Sequence, residues 1–233
     1  MKFLLNPAVW ALIIFINSFS CSSNETRSGT RHRQEPQGGN DSVINHLSGN
    51  QKNILSGAKK CLEEKFAYDV DMAYHILLYR DKTYVGEKVY PGGDLSPELG
   101  VCTDVIIRAL RYAGIVDLQQ AIHEDLLINW NDYPMKRWSA RKPDTNIDHR
   151  RVPNQMVWFR KYWKEPDEND FNPGDVVIWD INQDGWADHM GILSDTYENN
   201  TFYVIHNFPS PGFVAEEDVL NRWEIAGHYR ISY

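Results

Sequence analysis

Cysteine is scarce in this 233-residue chain: there are three, at positions 21, 61 and 102. Too few cysteines are present for a dense disulfide framework, and no C-x-x-C pair offers a metal knuckle. There is no basic stripe and no aromatic-basic motif, and the net charge is −8, so nucleic acid is excluded as an expected partner. No internal repeat is visible. No apolar run is long enough to span a bilayer comfortably. From Ser22 to Ser42 there is not one aliphatic or aromatic residue. Such a segment cannot bury enough apolar surface to offset its chain entropy, and it reads as a disordered tether.

What is present divides the chain in three. Met1 and Lys2 precede an apolar stretch, Ala8 to Ile16, that ends among small polar residues at Ser18, Ser20 and Cys21. This is the pattern of an export signal over residues 1–21, with Cys21 standing where a lipoprotein would be cleaved and lipidated. Residues 22–42 are the tether. Residues 43–233, about 190 in all, suffice for one domain with a full core. The expected location is outside the inner membrane, in the periplasm or outer envelope. The only expected membrane attachment is a lipid on Cys21, and a monomer is expected.

Within the domain, apolar residues at three- and four-residue spacing predict one or two helices over 43–66 and another from Val101 to Ala113. Further helices are predicted near Leu118–Trp130 and Val152–Trp163. After Pro173-Gly174 the pattern changes to short apolar segments at 176–179, 190–193, 202–205 and 227–231, separated by turn residues. A short helix is expected at Glu216–Trp223. Helices first and strands afterwards define an α+β fold, N-terminal helices packed on a C-terminal antiparallel sheet.

Cys102 stands at the start of its helix, where free N–H groups and the helix dipole would favour a thiolate and receive an oxyanion. A Cys61–Cys102 disulfide is the competing arrangement and would leave no nucleophile. Asp188-His189-Met190-Gly191-Ile192 puts a histidine at the head of an apolar strand, with glycine two residues on leaving room for a substrate chain. The next strand ends Ile205-His206-Asn207. If paired residues sum to 395, His206 faces His189, and a one-residue slip brings Asn207 there instead. Either could fix the His189 tautomer. Asp104, Arg108 and Arg111 read as a solvated face of the cysteine helix. Asp148-His149-Arg150-Arg151 reads as a network capping the next helix, with Asp148 and His149, together with Tyr90, the candidates for touching substrate. His149, Asp188 and His189 match no standard zinc spacing, and neither metal nor cofactor is expected.

A helix-start Cys, a H-x-G-I strand and a V-I-H strand in this order resemble the NlpC-type cell-wall peptidases of the papain-like superfamily. More closely, Val101-Cys102-Thr103-Asp104-Val105, the stretch Asn146 to Asn154, Pro173-Gly174-Asp175 and Gly227-His228-Tyr229-Arg230 resemble domain-of-unknown-function family 1287 (DUF1287), over about Ala67 to Tyr233. The resemblance implies a papain-like fold, export to the envelope, and a Cys–His–His site on Cys102, His189 and His206. It implies a cysteine peptidase or amidase that hydrolyses peptide or amide bonds of peptidoglycan or muropeptides. A non-catalytic protein that binds wall fragments, and a transpeptidase or amidotransferase using the same residues, are the alternatives. One departure stands out: the NlpC-type peptidases usually read Asp-Cys-Ser, and this chain reads Val101-Cys102-Thr103.

Overall fold

The computed structural model describes residues 44–70, 79–80, 83–84 and 90–232, with main chain alone at 79–80 and 83–84. The expected export segment, Cys21, the tether and Val43 lie outside the described residues.

Helix α1 (Gly49–Glu64) begins at a capping box: the Ser48 hydroxyl accepts the Gln51 N–H at 3.2 Å, and the Gln51 side chain accepts the Ser48 N–H at 3.1 Å. Strand β1 (Ala67–Tyr68) pairs in parallel with β4 (Leu99–Gly100), while β2 (Tyr79–Arg80) and β3 (Thr83–Tyr84) form a separate antiparallel pair. Helix α2 (Cys102–Tyr112) crosses α1 so closely that a Cβ at Gly57 would lie 2.2 Å from the Ala109 carbonyl oxygen. Only glycine permits that approach. Helix α3 (Leu118–Asn129) and helix α4 (Val152–Tyr162) complete the helical half, with single 3₁₀ turns between them, one of which is Asp148–Arg150.

The remaining strands are β5 (Val176–Asp180), β6 (His189–Glu198), β7 (Thr201–Asn207), β8 (Val214–Glu217) and β9 (Glu224–Tyr229). They form one antiparallel sheet in the order β8-β7-β6-β5-β9. Alternation sorts their side chains. Ile178, Met190, Ile192 and Ile205 join Ile54, Ala58 and Ile106 in the main core beneath the helices. Val177, Trp179, Leu193 and Val204 meet Val219 and Leu220 in a second cluster on the other face. Because β5 is covered on both faces, all five of its residues are buried. Helices packed on an antiparallel sheet bear out the α+β architecture.

Two expectations fail. Glu216–Trp223 is not a helix: Val214–Glu217 is an edge strand, paired with β7 from Asn207↔Val214 to Val204↔Glu217. The unpaired edge of β7 supplies main-chain partners, and this outweighs the local helix preference of Ala and Glu. The 395 register is also wrong. Ile192 pairs with Ile205 and Leu193 with Val204, both summing to 397, and a bulge before Tyr197 changes this to 399 at the turn.

Two of the sequence motifs meet at the far end of the sheet. Asp175, fully buried, accepts from Arg230 Nε at 2.8 Å, Arg230 Nη2 at 2.7 Å and His228 Nε2 at 2.9 Å. The Pro-Gly-Asp and Gly-His-Tyr-Arg motifs are therefore two halves of one buried ion-pair network that pins β9 to the entry of β5.

Candidate active site

Cys102 is the first residue of α2, with Val101 as its N-cap. The helix start is fixed from inside: Asp104 Oδ2 accepts the Val101 N–H at 2.7 Å and Arg150 Nη2 at 2.6 Å. Arg108 donates through Nε and Nη2 to Asp94 at 2.9 and 3.0 Å, and to the Leu99 carbonyl at 2.9 Å. The solvated face expected for Asp104 and Arg108 is wrong for both, which are 0% and 4% exposed. Loop 91–101 and the 148–150 turn cover the side of α2 that α1 and the sheet leave open. Arg111 pairs with Asp117 at 2.9 Å.

Both Cys61 and Cys102 are free thiols. Cys61 directs its thiol at the Val105 carbonyl, inside the core. The Cys102 sulfur instead lies near the main-chain N–H groups of Met190, the second residue of β6, and of Thr103. It thus reaches the sheet one residue beyond His189. With Thr103, Arg150, Arg151 and Asp188 it lines a cleft of about 300 Å³.

His189 Nε2 and His206 Nδ1 are 2.8 Å apart, and His206 Nε2 is 3.0 Å from Glu217 Oε2. The three groups form a chain with one consistent proton arrangement. A carboxylate oxygen accepts, so His206 carries its proton on Nε2 and offers a lone pair at Nδ1. His189 must then donate from Nε2, and its lone pair is left on Nδ1. Glu217 went unread because its strand was read as a helix; a carboxylate two residues past the partner of His206 becomes a signal only once β8 is recognised.

The register explains how the two imidazoles meet. Continuing the pairing from Ile192↔Ile205 sets His206 across from Gly191, so it reaches His189 diagonally. A Cβ at Gly191 would lie 2.4 Å from Val204 Cγ1 and 3.2 Å from His206 Cβ. The missing side chain makes room for Val204 first and then for His206 on the neighbouring strand, not for a substrate chain. Asn207, the alternative third residue, points elsewhere and donates to the Phe66 and Gly100 carbonyls at 3.4 and 3.3 Å.

Aromatic rings enclose the pair. His189 stacks on Trp179 with centroids 5.6 Å apart and meets Phe208 and Trp223 edge-on at 5.0 and 5.5 Å. Burial, with His206 alongside, holds the His189 imidazole well below its ordinary value; burial also lowers His206, against the pull of Glu217. The lowered thiol pKa expected from the helix terminus is not found. Burial pushes the Cys102 thiol up to about 12, aided by Asp104 and Asp188, and the N–H groups of Met190 and Thr103 offset only part of that. Desolvation outweighs the helix dipole here.

The expected substrate contacts fall away from this cleft. Asp148 and His149 are both buried and do not line it. Asp148 Oδ2 accepts the Asp144 N–H at 2.6 Å, and Asn154 and Gln155 of α4 donate to the Asp148 and His149 carbonyls at 2.9 and 2.8 Å. They cap and anchor α4. Tyr90 packs edge-on against His123 at 5.1 Å and also lies outside the cleft lining. Among the described residues no group of three or more His, Cys, Asp or Glu could hold a metal ion, and no helix is long and apolar enough to cross a membrane.

The class that the fold defines is an α+β domain, with Cys102 at a helix start and His189, His206 and Glu217 joined in one chain on the sheet. Residues 70–231 match the family described as Domain of unknown function (DUF1287), and the chain belongs to that family. Uncharacterized protein YijF of Escherichia coli (strain K12) is 45% identical over 158 residues, which is 66% of this chain and 74% of that protein. Two crystal structures of an N-acetylmuramoyl-L-alanine amidase from Bacteroides uniformis ATCC 8492 are also similar. One, at 1.07 Å resolution, has a TM-score of 0.44 at 14% identity and covers 80% of this chain and 100% of its own. The other, at 1.15 Å, has a TM-score of 0.41 at 12% identity and covers 78% and 98%.

Proposed function

We propose that this protein is a papain-like cysteine hydrolase of the bacterial envelope that cleaves peptide or amide bonds of peptidoglycan. The observation that carries the mechanism is the proton arrangement of Glu217, His206 and His189, which leaves His189 Nδ1 as the basic nitrogen at the strand end that the Cys102 sulfur reaches. The choice of substrate rests on the resemblance of the Cys, H-x-G-I and V-I-H motifs to NlpC-type peptidases, and export rests on the apolar stretch at residues 8–16.

In this reading the resting site holds a neutral thiol and a neutral imidazole. His189 Nδ1 takes the thiol proton as Cys102 Sγ bonds to the amide carbonyl carbon, and the oxyanion forms at the N-terminus of α2, where the Cys102 N–H points out of the helix. Collapse of the tetrahedral intermediate expels the amine, which takes the proton back from His189. Water, deprotonated by the same nitrogen, then hydrolyses the thioester. His206 and Glu217 do not touch substrate; they hold the tautomer and share the positive charge.

The test is digestion of intact sacculi by the purified protein, with released fragments read by mass spectrometry. Cys102→Ala should release none while unfolding at nearly the wild-type temperature. Release of the same fragments by that variant would end the cysteine mechanism.

A further inference from the structure

Strands β8 and β9 are consecutive in the chain, yet the order β8-β7-β6-β5-β9 puts them on opposite edges of the sheet. The segment joining them, residues 218–223, must therefore cross a face, and it crosses the one that carries the two imidazoles. It is firmly pinned there. Val219 and Leu220 are buried among Val177, Trp179, Leu193 and Val204. Trp179 Nε1 donates to the Leu220 carbonyl at 3.1 Å, and Asn221 Nδ2 donates to Thr201 Oγ1 at 3.3 Å. A turn closed by the Arg222 N–H on the Val219 carbonyl at 3.0 Å then delivers Trp223 to the site.

Trp223 touches each ring of the cluster, with centroids 5.5 Å from His189, 6.5 Å from His206, 5.3 Å from Phe208 and 6.0 Å from Trp179. Burial is layered. His189, His206 and Trp179 are 3%, 1% and 0% exposed, whereas Trp223 and Phe208 are half-buried. The two outer rings therefore stand between the imidazoles and water. The elements around the pair bring two charged groups to it: Glu217 from β8, which favours protonation of His206, and Arg222 from the crossover, which opposes it and lies 4.9 Å over the Trp223 ring. Trp179 from β5 and Phe208 after β7 are uncharged, and Asp188, just before β6, accepts the Ile181 N–H at 3.0 Å.

We propose that Trp223 is a positioning residue of this site: the β8–β9 crossover is a fixed cap that packs the His189 and His206 imidazoles together and closes their face of the sheet to water. Its catalytic consequence rests on the hydrolase reading above; the packing of the histidines does not. A cap of this kind acts on kcat and on the basicity of the imidazoles, and not on KM.

The imidazole NMR signals of His189 and His206, followed against pH, test the cap without turnover, and muropeptide hydrolysis is measured on the same preparations. In the wild-type protein both midpoints should lie below the ordinary 6.5. Trp223→Ala admits water, which stabilises the imidazolium, so the midpoints should rise by about one unit. Its kcat should fall about 10- to 100-fold at unchanged KM, with the acid limb of kcat/KM moving up in step. Trp223→Phe restores a covering ring and should recover most of both. Should the alanine variant not fold, Trp223→Leu, which keeps apolar bulk without a ring, should show the same upward shift in smaller measure. Wild-type midpoints in the folded alanine or leucine variant, or a shift in Trp223→Phe as large as in Trp223→Ala, overturn the cap. A wild-type protein that cuts nothing, with midpoints that still rise in Trp223→Ala, would instead fail the hydrolase reading and leave the cap standing.

Discussion

Glu217 Oε2 lies 3.0 Å from His206 Nε2, on the side of that imidazole opposite His189. The carboxylate decides which nitrogen of His206 carries the proton, and through it which nitrogen of His189 keeps the lone pair that the proposed mechanism uses. Glu217→Leu should therefore lower kcat about 10- to 100-fold, less than the 10²–10⁴ a general base supplies directly. KM and the unfolding temperature should change little, since the Glu217 side chain is about one-third exposed. Glu217→Gln keeps an accepting oxygen and should restore most of the rate. Equal losses in the two variants would show that charge alone, and not the tautomer, is what Glu217 contributes.

Gly191→Ala tests the packing of the histidines. The new methyl group would fall 2.4 Å from Val204 Cγ1 and 3.2 Å from His206 Cβ, in a part of the sheet where Leu193, Val204 and Ile205 are fully buried. Something must move, at a cost of about 1–3 kcal/mol. The same displacement breaks the 2.8 Å contact between the imidazoles, so activity should fall far more than the modest loss of stability explains. Thermal unfolding and turnover on one preparation check both; full activity would mean that His206 does not need its present position.

Asp175→Ala should destabilise the domain by about 3 kcal/mol, because it takes the shared buried carboxylate from Arg230 and His228 and leaves Arg230 with its exposed partner Asp170. The site lies at the other end of β5, so the folded fraction should keep its specific activity. Denaturant titration with a parallel assay separates the two quantities, and a variant of normal stability but no activity would reassign the motif to the chemistry.

How much of this was legible varies residue by residue. The placement of Cys102, His189 and His206 could be read because each is tied to a local signal, a helix start or an end of a strand. Glu217 could not: Val214-Ala215-Glu216-Glu217 carries helix-favouring residues and becomes a strand only by pairing with β7. The register was out of reach because the bulge between Leu193 and Tyr197 shifts the pairing by two, which keeps every side chain on its face and so leaves no trace in the hydrophobic pattern. Asp104 and Arg108 misled for another reason. Charge on a helix normally marks solvent, but all residues of α2 from Cys102 to Leu110 are buried, and these two are paired with Arg150 and Asp94.

The state of the thiol gives the last prediction. Burial raises Cys102 to about 12 and drives His189 well below 6.5, so across the neutral range both groups are uncharged. The groups around the imidazole pair are Glu217, which favours protonation of His206, and Arg222, which opposes it. The proposed mechanism needs His189 unprotonated; since its depressed pKa delays protonation on acidification, the acid limb of kcat/KM should lie below 6.5. A neutral thiol should also alkylate slowly: iodoacetamide at pH 8 should modify Cys102 more slowly than a free thiol of pKa about 8.5, with the rate still climbing above pH 10. Cys61, fully buried and likewise raised to about 12, should stay unlabelled until the protein unfolds. Slow alkylation is thus compatible with catalysis, because the proton leaves only as the sulfur attacks, and turnover rather than labelling separates an enzyme from a binding protein. An alkylation rate that levels off near pH 8 would mean that a thiolate is preformed, and the neutral pair would have to be given up.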